Sequence, residues 1–267
     1  MLGNIVVLIM ACCATLACGN PLELQQSLAK ASNLQAFGGI PATRGEFPWH
    51  VSLQHFSTSG GWFHRCDGTI ISESYVIASA LLCSPPFSGS KENMRAVAGT
   101  LEWKRPRSIH NVTAIIEDGD VRSGSGFLAL FKVDPPFQFD CYTKAVQLPD
   151  HFIESLPGTV MTTTGWGHMM PDQYEPSDML MKFELSVVSK AVCYKKNVIE
   201  MLHFMCANEA RNETIGSGDC VRRGWGSPLI FNGELRGVLL LFLKCDVPDL
   251  YVEISLLRRW ISLYTGV

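Results

Sequence analysis

The sequence predicts an all-β protein, and three observations carry that prediction. Short β-prone runs, such as Thr69 to Ile71 and Val76 to Ala80, alternate with clusters of Gly, Pro, Asn and Ser, the punctuation of strands joined by turns. A run from Gly237 to Leu243 is apolar throughout, as a buried strand is. With 267 residues, 47% of them hydrophobic, the chain can fill one large or two fused β domains. Strands this short and this closely spaced favour barrels or a sandwich over a parallel sheet.

Taken in order, the chain opens on an apolar run from Ile5 to Leu16 followed by Ala17, Cys18 and Gly19, which reads as a secretory signal peptide over residues 1–19. The run falls short of the roughly 20 residues that a spanning helix needs, and no second segment of that length follows. Residues 20–35 are polar and propeptide-like. A net charge of −3 and a pI near 6.2 argue against a nucleic-acid binder. No internal repeat is evident.

Six segments then follow in a telling order: Gly38-Gly39-Ile40-Pro41 with Phe47-Pro48-Trp49; Cys66-Asp67-Gly68-Thr69 running to Cys83; Phe127-Leu128-Ala129-Leu130; Thr164-Gly165-Trp166-Gly167; Gly224-Trp225-Gly226-Ser227-Pro228; and Trp260-Ile261 in a C-terminal stretch with apolar residues at Ile254, Leu257, Ile261 and Tyr264. The spacing in the last segment predicts an amphipathic helix. From Ala36 to about Ile261 the chain resembles the trypsin/chymotrypsin-like serine proteases. The resemblance implies two packed six-stranded antiparallel Greek-key β-barrels with a C-terminal α-helix. It would make residues 36–267 one trypsin-like region, with barrels over about 50–146 and 147–252 and the helix over about 253–264.

The same resemblance implies a protease without its catalytic relay. Anchored on Pro228, the nucleophilic serine is Trp225; anchored on Cys220, the position falls on Gly224. The general-base histidine is Leu81 counted from Cys66, or Leu82 counted back from Cys83. The orienting aspartate is Phe127. No basic residue precedes Ala36, where Gln35 stands, and the aspartate that a new N-terminus would pair with is Gly224, so activation by cleavage is not expected. Loss of every polar member together is physically coherent, because a lone buried carboxylate is costly whereas a wholly apolar set is not.

Of ten cysteines, Cys12, Cys13 and Cys18 fall at the signal end, leaving seven, a number suited to an oxidising compartment. By resemblance the disulfides are Cys66 with Cys83, Cys193 with Cys206, and Cys220 with Cys245. A further family bridge is absent at both its ends, Met161 and Phe231, and Cys141 is unmatched. Were the signal cut after Ala17, Cys18 would become a terminal thiol that Cys141 could capture. Asn111-Val112-Thr113 and Asn212-Glu213-Thr214 are N-glycosylation sequons, expected on loops.

At the family's specificity pocket, Leu240, Leu241 and Phe242 replace the open wall and Gly218 takes the floor. Phe242 is expected to plug the pocket, with an acidic site from Asp219 and Asp249 as the alternative. No cofactor or metal is expected: the stretch near Trp103 to Asn111 has only the adjacent Glu102 as a carboxylate, and His55 and His64 read as ordinary strand residues. Lys104, Arg105 and Arg107 form a basic cluster that could meet a sulfated glycan. The reading is a secreted, monomeric, non-catalytic protein that binds another protein as decoy, regulator or scaffold. Its rivals are an anion- or glycosaminoglycan-binding effector resembling azurocidin, and a serine endopeptidase with a non-standard site centred on Ser227.

Overall fold

The computed structural model describes residues 39–85, 90–119, 126–167, 175–197, 204–209, 224–242 and 247–267. Among the described residues, thirteen strands and three α-helices run in the order β1 (Ile40–Pro41), β2 (His50–Ser57), β3 (Gly61–Ser72), β4 (Tyr75–Ser79), α1 (Ala80–Cys83), β5 (Met94–Ala98), β6 (Ser108–Glu117), β7 (Leu128–Asp134), β8 (Val160–Gly165), β9 (Met181–Val188), α2 (Lys190–Asn197), β10 (Phe204–Glu209), β11 (Pro228–Phe231), β12 (Glu234–Leu241), β13 (Asp249–Glu253) and α3 (Ile254–Thr265).

All the pairings between these strands are antiparallel, and an isolated parallel bridge joins Gln147 to Glu234. The first six-stranded ring closes in the order β2-β3-β4-β7-β6-β5. The second runs β8-β9-β10-β13-β12-β11 and closes because β8 pairs with both β11 and β9, with β1 added outside β9. The second order is the first shifted by six strands, so the two barrels share one Greek-key connectivity although the sequence repeats nowhere. Closure leaves neither ring an open edge, which removes the hazard of unpaired strand edges.

The three largest clusters of buried side chains among the described residues fill the barrels and the seam between them. Val51, Leu53, Ile70, Val76 and Phe131 centre the first barrel. Met161, Leu185, Met205, Leu229, Leu239 and Tyr251 centre the second. A third joins Ile77, Leu128 and Leu130 of the first barrel to Phe204, Ile230, Leu240 and Val252 of the second and to Ile261 of α3. This last cluster is the seam that packs the barrels together; burying each such side chain contributes about 1.5–3 kcal/mol. Met161 is buried, and Phe231 packs against its cluster, so apolar contact occupies the place of the absent bridge.

Helix α3 presents Ile254 and Ile261 to the core and Leu257 half-buried beside them. Tyr264, expected on that stripe, is 46% exposed, because the core ends one turn earlier. Gly266 closes the helix in the left-handed conformation, φ 78°, its amide donating to the Ser262 carbonyl. Among the described residues no helix is long and apolar enough to cross a membrane.

Candidate functional site

Leu81, Phe127 and Trp225, the positions expected to match the relay, lie where the barrels meet. Leu81 sits in α1, directly after β4, and packs against the first-barrel core and the seam alike. Phe127 immediately precedes β7, whose Leu128 pairs with Ser79 at the end of β4. Its ring meets Phe204 edge to face at 4.9 Å and 75°. Its backbone is fixed from both sides: Asp118 Oδ1 accepts from the Phe127 amide at 2.6 Å, and the Phe127 carbonyl accepts from Ala80 at 2.8 Å. Trp225 opens the turn into β11 and packs against the first-barrel core, with the Arg65 guanidinium 5.4 Å over its ring. None of the three side chains can accept a proton, orient an imidazole or attack a carbonyl.

Ser227, the loop serine, is 0% exposed. Its hydroxyl donates to Asp67 Oδ2 at 2.7 Å and lies 2.6 Å from the Gly224 carbonyl oxygen, so two acceptors share one proton. The neighbouring amides are engaged internally, Gly226 with the Leu239 carbonyl and Ser227 with that of Gly224.

Around Asp67 the structure assembles a buried polar cluster that the sequence reading missed. His50 Nε2 donates to Asp67 Oδ1 at 3.1 Å, and the Trp166 amide donates to the same oxygen at 3.2 Å. His64 Nε2 stands 3.6 Å from that oxygen. The other ring nitrogens meet hydroxyls: His50 Nδ1 is 2.9 Å from Thr164 Oγ1 and His64 Nδ1 is 2.8 Å from Ser52 Oγ. His64 is therefore no ordinary strand residue. A signal existed in β2, where His50, Ser52 and Gln54 alternate with Val51 and Leu53 and put three polar groups on one face.

This cluster is not a displaced relay. Serine activation needs an imidazole between hydroxyl and carboxylate, so that proton uptake by the ring is stabilised by the acid behind it. Here the carboxylate stands between the hydroxyl and the imidazole. No group of three or more metal-ligating side chains occurs among the described residues.

The remaining expectations divide by location. The disulfides Cys66–Cys83 and Cys193–Cys206 are formed. Cys141 is disulfide-bonded as well, to a partner outside the described residues, where the expected Cys220–Cys245 pair also lies. Asn111 is exposed on β6, not on a loop, because alternate side chains of that strand face outward; Asn212, Gly218 and Asp219 lie outside the described residues. Phe242 is half-buried and Asp249 is buried on β13.

Each cation of the basic cluster has a carboxylate beside it: Lys104 meets Asp178 at 2.7 Å, Arg105 meets Glu102 at 3.4 Å, and Arg107 meets Asp140. Arg44 and Arg107 also stack on Tyr142, 4.6 and 5.2 Å from its centroid.

The sequence model of the trypsin family, described as Trypsin, matches residues 36–261. The chain is similar to the serine protease filzig of Drosophila melanogaster, 29% identical over 251 residues. That match covers 86% of this chain and spans only 14% of filzig. It is also similar to a trypsin of Phaedon cochleariae, 24% identical over 88% of this chain and 90% of that one. Among solved structures, human heparin binding protein shares the fold, with a TM-score of 0.69 and 22% identity over 86% of this chain and 95% of that one.

Proposed function

We propose a non-catalytic role for this protein, which belongs to the trypsin family: it binds another protein as a decoy, regulator or scaffold. The observation that carries the reading is the set Leu81, Phe127 and Trp225, three half-buried apolar side chains packed against the first-barrel core or the seam, at the positions that the resemblance matches to the family's base, orienter and nucleophile. Ser227 supports it, since a hydroxyl 0% exposed and bonded to a carboxylate has neither access to substrate nor a base. In this reading residues 1–19 are removed as a signal peptide, 20–35 stay attached, and the secreted chain carries glycans at Asn111 and Asn212.

The test is labelling by a fluorophosphonate, with peptide, ester and thioester hydrolysis measured beside it. Neither labelling nor turnover is expected; labelling abolished by Ser227→Ala would sink the reading. Restoring histidine, aspartate and serine together at Leu81, Phe127 and Trp225 is expected to give no turnover, because Gly224–Ser227 is already bonded to Asp67. A pull-down with the secreted protein, read by mass spectrometry, identifies the partner.

Glycan binding has weaker support. Human heparin binding protein shares the fold, but Lys104, Arg105 and Arg107 each stand beside a carboxylate, which cancels much of the field a sulfated chain would feel. Elution from a heparin column at low salt is expected; retention beyond physiological salt would favour the glycan.

A further inference from the structure

Asp67 belongs to β3 of the first barrel, yet two of the four groups at its carboxylate, the Trp166 amide and the Ser227 hydroxyl, come from the second. Three glycines make the room. A Cβ on Gly224 would stand 2.1 Å from Asp67 Oδ2, one on Gly165 2.3 Å from the same oxygen, and one on Gly226 2.3 Å from the Asp67 carbonyl oxygen. Backbone bonds add to the hold, because the Asp67 amide donates to the Trp225 carbonyl at 2.8 Å. One residue thus engages Gly224, Trp225, Gly226 and Ser227 in succession.

The groups facing the carboxylate come from four directions. Strand β2 offers His50 and β3 offers His64; the end of β8 offers the Trp166 amide, with Thr164 behind His50; the turn before β11 offers Ser227. Among the described residues the two imidazoles are the only ionisable side chains within ion-pair distance of it. Burial pushes the carboxyl upward, but the hydrogen bond and charge of His50, the charge of His64 and the Ser227 hydroxyl hold it below the ordinary value.

We infer that Asp67 is a latch: its carboxylate holds the Gly224–Ser227 turn closed against the first barrel, and neutralising it releases the turn while both barrels stay folded. Loss of charge leaves one acceptor oxygen where there were two, so Ser227 and His50 can no longer both donate to the group, and the two glycines of the turn, Gly224 and Gly226, offer no side-chain contacts of their own to keep it in place. The barrel cores and the apolar seam do not include Asp67, so they persist.

The experiment is fluorine NMR of the full chain labelled with 5-fluorotryptophan, the Trp225 resonance being identified by its loss in Trp225→Phe. In Asp67→Asn at neutral pH, the Trp225 resonance is expected to shift or broaden while the tryptophan resonances other than that of Trp166, whose amide is bonded to Asp67, keep their positions. The wild-type protein is expected to show the same change only on acidification through the low pKa of Asp67. A wild-type Trp225 resonance in Asp67→Asn overturns the latch, as does simultaneous collapse of every tryptophan resonance. Should Asp67→Asn fail to fold, Ser227→Ala decides: the latch requires Trp225 to move in that variant too, and an unmoved resonance overturns it.

Discussion

Between the two barrels lie one patch emptied of polar groups and another built around a buried charge. The side chains of Leu81 and Phe127 pack against apolar clusters, and the edge-to-face meeting of Phe127 with Phe204 is packing of the kind found in any core. At Asp67, 0% exposed, the carboxylate has His50, Ser227 and the Trp166 amide bonded to it, with His64 close by. The difference teaches that both arrangements obey one rule: a buried polar group either has all its partners or is absent with them. Losing a single member of a relay would leave a group stranded; losing every member together does not.

The contrast breaks first at Asp67. Asp67→Ala leaves two imidazoles and a hydroxyl facing a void, and is expected to cost about 3–5 kcal/mol in denaturant unfolding. A cost below about 1 kcal/mol would mean that the charge is dispensable and the two patches are alike. Phe127→Asp asks the converse by placing a carboxylate in the apolar patch without an imidazole. About 2 kcal/mol of destabilisation at neutral pH is expected, shrinking in acid as the new group protonates.

Two native carboxylates sharpen the comparison through pH. Asp67 has a lowered pKa, so its contribution is present above its unfolded value near 3.9 and is lost as pH falls through the folded value. Glu253, buried at the start of α3 with the Ser155 amide on its Oε1, has its pKa raised, chiefly by burial. Its protonated form is the favoured one, so its contribution is present below about pH 4.3 and declines as pH rises through the folded value. Glu253→Gln, which keeps an acceptor for Ser155, is expected to raise the melting temperature at neutral pH and leave it unchanged in acid. A fall at neutral pH would show that Glu253 is held as a charge, as Asp67 is. The smallest effect is expected at the surface: Lys104→Ala, which removes a pair more than half exposed, should change stability by no more than about 0.5 kcal/mol.

Much of the fold is legible in the sequence because its motifs are contiguous: Thr164-Gly165-Trp166-Gly167, the run from Cys66 to Cys83 and the helical spacing of Ile254, Leu257 and Ile261 can each be read within one window. The apolar side chains Leu81, Phe127 and Trp225 are legible for the same reason, each sitting inside its own motif. The charged cluster is not. It gathers His50, His64, Asp67, Thr164 and Ser227 from four elements of both barrels, and no local pattern announces that they converge. Nor does polarity betray Asp67, since an aspartate beside a glycine reads as a turn residue until the closed ring turns it inward. The shared connectivity of the two barrels escapes the sequence too, because strand order is a property of pairing and leaves no repeat in the residues.

The hydroxyls behind the two imidazoles carry a final consequence. Thr164 Oγ1 faces His50 Nδ1, and Ser52 Oγ faces His64 Nδ1. A hydroxyl rotor donates to a bare ring nitrogen and, turned about its C–O bond, accepts from a protonated one. Each hydroxyl can therefore serve whichever role its ring nitrogen leaves open with no heavy atom moving. The cluster can hold several arrangements of its hydrogens that share one set of heavy-atom positions. Telling them apart requires seeing the hydrogens themselves, by neutron diffraction or by the nitrogen chemical shifts of the two rings.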